Sequence, residues 1–360
     1  MTHFYPAPCL PRAISYQPGA RIKRLSRHER EEAAELLAQL DDLELTELEI
    51  WARVSSTRII ALAHLDRIDE TKVLANRISE RLRPIANEDL SCKRVLYRLM
   101  LKADMMYSPA VANDHLLRAA HYFGPRIGTS HASDPVNYYV ALCNLVANYL
   151  FCGNFKEAYE TATNCERFAN DAREKEGIQF PRRDILANNL TLSRYRFGRS
   201  SAEQCASAMH SIERNDAFAD ASLLDSNWAG FSVLSGKAEE CLDTLWYWND
   251  RLLDESDFDP YYTYFIGNNL TSALIAIGEI SKARDIFNSL EPLLESIRIP
   301  LKAILIPRHR ALSRRLQSQI ISIDAWDRPV SSSEDASITP HWQHYAHGIL
   351  LSDLQLWSED

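Results

Sequence analysis

From about residue 26 to 318 apolar side chains recur every three or four positions, the spacing that lines one face of an α-helix. Ala33, Leu36, Leu37, Leu40 and Leu43 make the first such stripe. It follows Ser26-Arg-His-Glu29, a capping box in which the Ser and Glu side chains satisfy free amides at a helix start. The pattern then falls into pairs of helices: 51–65 with 71–82, 90–106 with 110–123, 138–151 with 155–172, 183–197 with 202–214, 219–234 with 238–252, and 260–277 with 280–297. A polar loop over 124–136 interrupts them, and Asp134-Pro135 starts the next helix, proline being tolerated in a first turn. After Pro300 a basic amphipathic helix runs to about residue 318. A polar linker over 327–339 leads to an apolar, aromatic ending with Trp342, Tyr345, Ile349, Leu350, Leu351, Leu354, Leu356 and Trp357, read as a short docked helix. The pattern predicts an all-α chain.

The pairs are also a repeat. An Asn stands nine residues before a Gly four times: Asn144/Gly153, Asn189/Gly198, Asn227/Gly236 and Asn269/Gly278. Each Asn precedes a large apolar residue, Leu145, Leu190, Trp228 or Leu270. Ala158, Cys241 and Ala283 supply a small residue five positions after three of the glycines; after Gly198 the small residues are Ala202 and Cys205. Gly198 follows Gly153 by 45 residues, Gly236 follows by 38 and Gly278 by 42. Turns at Asp66 and Tyr107-Ser-Pro109 extend the period towards the N-terminus in weaker form. A helical unit of about forty residues predicts a solenoid, with atypical units at its ends. The fold expected is five to six antiparallel helix pairs stacked as a solenoid, with N- and C-terminal capping helices. The divisions are a basic arm over 1–25, degenerate repeats over 26–136, four clear repeats over 137–299, and a capping helix, linker and aromatic tail over 300–360.

Asn188-Asn189-Leu190 through Gly198, and Asn268-Asn269-Leu270 through Gly278-Glu-Ile-Ser-Lys-Ala283, resemble the tetratricopeptide repeat (TPR), in the kinesin-light-chain form and its bacterial relatives. The resemblance covers 137–297, with the usual period of about 34 residues lengthened. The array with its Trp342…Asp353-Leu-Gln-Leu-Trp357 ending is also similar to the C-terminal sensor region of bacterial signal-transducing ATPases. The first resemblance implies a right-handed superhelical solenoid in which the first helix of each pair lines a concave face, where Asn side chains hold the backbone of an extended peptide. Asn suits that task because its amide both donates and accepts. Asn144, Asn148, Asn188, Asn189, Tyr195, Asn227, Asn268 and Asn269 are the candidate groove residues. The same amides could instead bond the neighbouring helix and fix the stacking, and sequence leaves both roles open.

Charge narrows the choice of partner. The chain of 360 residues carries −9, yet residues 1–28 hold Arg12, Arg21, Lys23, Arg24 and Arg27 and no acid. The remainder is therefore −14 (−9 less +5). An acidic body argues against binding duplex nucleic acid. The four prolines of the first 18 residues argue against a helical targeting peptide and for a flexible or surface-draped arm. Seven cysteines without a CxxC pair, and no signal peptide, predict reduced thiols in a cytoplasmic protein. No apolar run reaches the roughly 20 residues of a membrane span.

Other chemistry is thin. Gly230…Gly236-Lys237 is one residue too long for a nucleotide loop, and Ala238 stands where the magnesium-binding hydroxyl belongs. His341, His344 and His347 would lie along one side of a helix without a thiol or carboxylate to complete a metal site. No cofactor, metal or catalytic residue is assigned. Arg308, Arg310, Arg314 and Arg315 offer either a contact for an acidic partner or a solvated capping face. The expectation is a non-enzymatic module that binds a peptide or extended segment of a partner protein, as adaptor or sensor subunit. The alternatives are a ligand-gated sensor in bacterial signalling or phage defence, and a structural homo-oligomer.

Overall fold

The computed structural model describes residues 34–35, 37–38, 48–65, 67–103, 107, 109–125, 132–213, 218–254, 260–296 and 299–318. The basic arm, the Ser26 capping box, most of the first stripe, Asp66, the three C-terminal histidines and the aromatic tail lie outside the described residues.

The described chain is helical: α1 (Leu48–His64), α2 (Ile68–Leu82), α3 (Leu90–Met100), α4 (Pro109–Phe123), α5 (Pro135–Phe151), α6 (Phe155–Glu176), α7 (Arg183–Arg196), α8 (Ala202–His210), α9 (Phe218–Leu234), α10 (Ala238–Asp254), α11 (Pro260–Ala276), α12 (Ile280–Ser296) and α13 (Ile299–Ser318). Among these residues there is no strand, only one isolated bridge between Pro125 and Ala132.

Local chemistry sets the boundaries. Asp89 caps α3 by accepting from the amides of Ser91 and Cys92. Asp134 caps α5 by accepting from Asn137, with Pro135 in the first turn. Ser201 and Gln204 form a reciprocal capping box on α8. At Gly153, Gly198, Gly236 and Gly278 the backbone is left-handed, with φ between 69° and 81°. Each glycine amide bonds the carbonyl three residues back, and the next amide bonds the carbonyl five back, as in Gly236 to Val233 (3.0 Å) and Lys237 to Ser232 (2.8 Å). That is the Schellman closure, which an L side chain strains and glycine does not. The same closure at all four turns gives four similar hairpins.

The two helices of a hairpin differ in burial. In α6 the buried residues are Ala158, Ala162, Cys165, Ala169 and Ala172, a single stripe of small side chains. In α10 they include Ala238, Cys241, Leu245, Trp248 and Leu252. By contrast α11 is buried all round: every residue from Tyr262 to Ile275 is inaccessible. Most of α7 and α9 is likewise covered. The substantial helix contacts explain this. Each helix packs on its chain neighbours, and contacts between helices two places apart join α1 to α3, α5 to α7, α9 to α11 and α11 to α13. The odd-numbered helices of these four pairs thus touch one another as well as their hairpin partners. The hydrophobic core advances along the chain in step, from a cluster around Ile59, Ile78 and Val95, through one around Leu116, Tyr139 and Leu190, to one around Leu223, Phe265 and Leu312.

Polar ties supplement this packing near the N-terminal side. Asp134 pairs with Arg94 and, at 3.8 Å, with Arg98, joining the start of α5 to α3. The buried Lys102 ammonium donates to the Ser56 carbonyl at 3.1 Å, joining the end of α3 to α1. Burial pushes its pKa down to about 8, and the nearby Arg98 acts in the same direction.

Candidate functional site: an asparagine ladder between helix pairs

The ladder asparagines sit at one level of α5, α7, α9 and α11, because each lies nine residues before its Schellman glycine. Asn144 Nδ2 donates to the Leu101 carbonyl at 3.1 Å, Asn227 Nδ2 to Asn188 Oδ1 at 2.7 Å, and Asn269 Nδ2 to Ser226 Oγ at 2.9 Å. The last two bonds share a register. The donor is the ladder Asn of one hairpin, and the acceptor is the residue just before the ladder Asn of the preceding hairpin. Asn188 Nδ2 in turn donates to Asn189 Oδ1 at 3.0 Å, so Asn189, Asn188 and Asn227 form one chain of amides. The position before the ladder Asn holds Cys143, Asn188, Ser226 and Asn268 in the four hairpins.

Asn148, Asn188, Asn189, Asn227, Asn268 and Asn269 are at most 1% exposed, whereas Asn144 and Tyr195 are half-buried. Asn148 Oδ1 receives the Cys152 thiol at 3.7 Å, and the Tyr195 ring meets Phe231 edge-on at 5.1 Å. Asn268 differs from the rest: among the described residues neither its amide nitrogen nor its amide oxygen has a hydrogen-bond partner. These groups are neutral amides and hydroxyls, suited to exchanging hydrogen bonds rather than protons.

The four arginines are not brought to one surface. Arg310 and Arg314 are exposed on α13, while Arg315 is buried, with its pKa pushed down to about 10 by that burial. The Arg308 side chain lies outside the described ones. Between the arginines, His309 stacks on Phe287 of α12 at 4.3 Å and its Nδ1 lies 3.3 Å from the Tyr264 hydroxyl of α11. Burial lowers the His309 pKa, against an opposing pull from Glu291. The lysine of the would-be nucleotide loop, Lys237, pairs instead with Glu203 at 2.8 Å, and Gly236 forms a hairpin turn. Among the described residues no three metal-ligating side chains cluster, and no helix is long and apolar enough to cross a membrane.

No family model matches this chain, and neither does any curated protein or solved structure. The class the fold and site define is therefore a structural one: an all-helical protein with hydrogen-bonded asparagines between its helix hairpins.

Proposed function

We propose that the chain is a TPR-like solenoid that binds an extended segment of a partner protein, as an adaptor or sensor subunit without catalysis of its own. One observation carries this reading: among the described residues, substantial contacts never reach beyond the second helix along the chain. A body built only from such local contacts is a stack of units, and stacked hairpins present a long continuous surface suited to holding another chain. The common Schellman turn and the Asn rungs support a uniform stacking geometry. Their burial favours stacking as the work of Asn188, Asn189, Asn227 and Asn269. In this reading contact with a groove peptide falls to the half-buried members, Asn144 and Tyr195.

The test is a matched melting and capture series on the full chain from its native cells. A Tyr195→Phe variant, which keeps the Asn144–Leu101 bond, should melt close to wild type yet weaken capture of a protein that wild type retains. Asn189→Ala should melt lower. If wild type captures no protein, or the groove variant retains the same one undiminished, the reading fails.

A further inference from the structure

We propose that Cys143 and Cys165 form a dithiol that closes to a disulfide when the protein meets a peroxide. Cys143 lies on α5 and Cys165 on α6, and their sulfur atoms are 3.9 Å apart, in van der Waals contact. The two helices approach closely because α6 meets α5 through Ala158, Ala162, Cys165 and Ala169. A disulfide needs the sulfurs at about 2.05 Å and the Cα atoms no more than about 7 Å apart, so the helices must already lie close. Other thiols have different neighbours. Cys152 donates to Asn148 Oδ1, Cys205 to the Thr191 carbonyl, and Cys241 to the Ala238 carbonyl.

The two sulfurs have unequal access, which sets the order of steps. Cys143 is half-buried, whereas Cys165 is fully buried with its thiol directed at the Tyr139 carbonyl. Burial holds the Cys165 thiol in its protonated form. The Cys143 thiolate attacks one peroxide oxygen. The O–O bond breaks, and hydroxide leaves a sulfenic acid on Cys143. The Cys165 sulfur then attacks the Cys143 sulfur. The S–S bond forms, the S–O bond breaks, and the departing hydroxide takes the Cys165 proton as water. In sum two thiols lose two hydrogens and one peroxide becomes two waters.

The place in the ladder gives this bond a consequence. Cys143 occupies the position that Asn188 and Ser226 use to accept a rung from the next hairpin. Its neighbour Asn144 holds the Leu101 carbonyl of the preceding one. Drawing Cys143 towards α6 therefore acts on the Asn144–Leu101 joint beside it. The dithiol requires no partner protein, so it stands or falls separately from the binding role.

The reduced full chain is treated with hydrogen peroxide, alkylated and digested with trypsin, which cuts at Lys156 between the two cysteines. A Cys143–Cys165 linked peptide pair should accumulate, disappear with dithiothreitol, be absent from Cys143→Ser, and persist in Cys152→Ser. Cys143→Ser alters a half-buried site, so its folding is checked by melting. Recovery of Cys143 as sulfinic or sulfonic acid, its linkage to any other cysteine, or alkylation of both thiols after peroxide would each overturn the proposal.

Discussion

At the scale of single residues, two adjacent asparagines should behave oppositely. Asn269 donates to Ser226 across the hairpins, whereas Asn268 beside it is equally buried and has no partner among the described residues. Leaving a buried partner unsatisfied costs about 1–3 kcal/mol, while deleting a group that was already unsatisfied removes a penalty. Asn269→Ala should lower stability by roughly 1–3 kcal/mol, and Asn268→Ala by clearly less, in paired urea titrations. Equal losses would mean that the rung contributes nothing. The donors of this ladder were readable in sequence because one residue type recurs at one spacing. The acceptors were harder to see. A donor reaching across a helix interface needs an N–H at a fixed distance, which keeps Asn in place. An acceptor needs only a lone pair, which an amide or a hydroxyl supplies, and Asn188 and Ser226 share no pattern beyond position. Asn188 and Asn268 stood out as flanking residues of a groove; Ser226 and Cys143 carried no signal of a role in the joint.

At the scale of elements, the six hairpins and the helix after Pro300 lie close to where apolar periodicity and Asn–Gly spacing put them, since the same glycines that mark the repeat terminate the helices. The uneven α13 was not legible. Its charges suggested a basic surface, yet Leu305, Leu312, Leu316 and Arg315 face inward and His309 is held between α11 and α12. A side chain's direction depends on where the helix docks, which composition does not encode. That docking should respond to pH. The His309 pKa is lowered in the folded chain, mainly by burial, so the unfolded form binds the proton more readily. Its contribution is complete above the unfolded value of about 6.5 and is lost as pH falls through the folded one. The groups around it are the Tyr264 hydroxyl, the Phe287 ring and the Glu291 carboxylate. Hydrogen exchange in α13 should therefore speed up, relative to α11, as pH drops from 7 to about 5 once intrinsic rates are divided out. His309→Phe should remove that dependence; an unchanged profile would show that His309 does not control the docking.

At the scale of the whole molecule, local packing makes shape the sharpest test of the solenoid reading. A compact chain of 360 residues has a radius of gyration of about 21 Å. Stacked hairpins should exceed that value in small-angle scattering and give a distance distribution with a long tail. A symmetric distribution at the compact value would rule out the elongated arrangement.

The rungs also have a direction. From Asn144 to Leu101, Asn227 to Asn188 and Asn269 to Ser226, the amide hydrogen always points from the later hairpin to the earlier one. The α9–α10 hairpin therefore has a giving side, at Asn227, and a taking side, at Ser226, like a link that couples in one orientation. A tandem copy of that hairpin within the gene would set a giving side against a taking side, and an inverted copy would not.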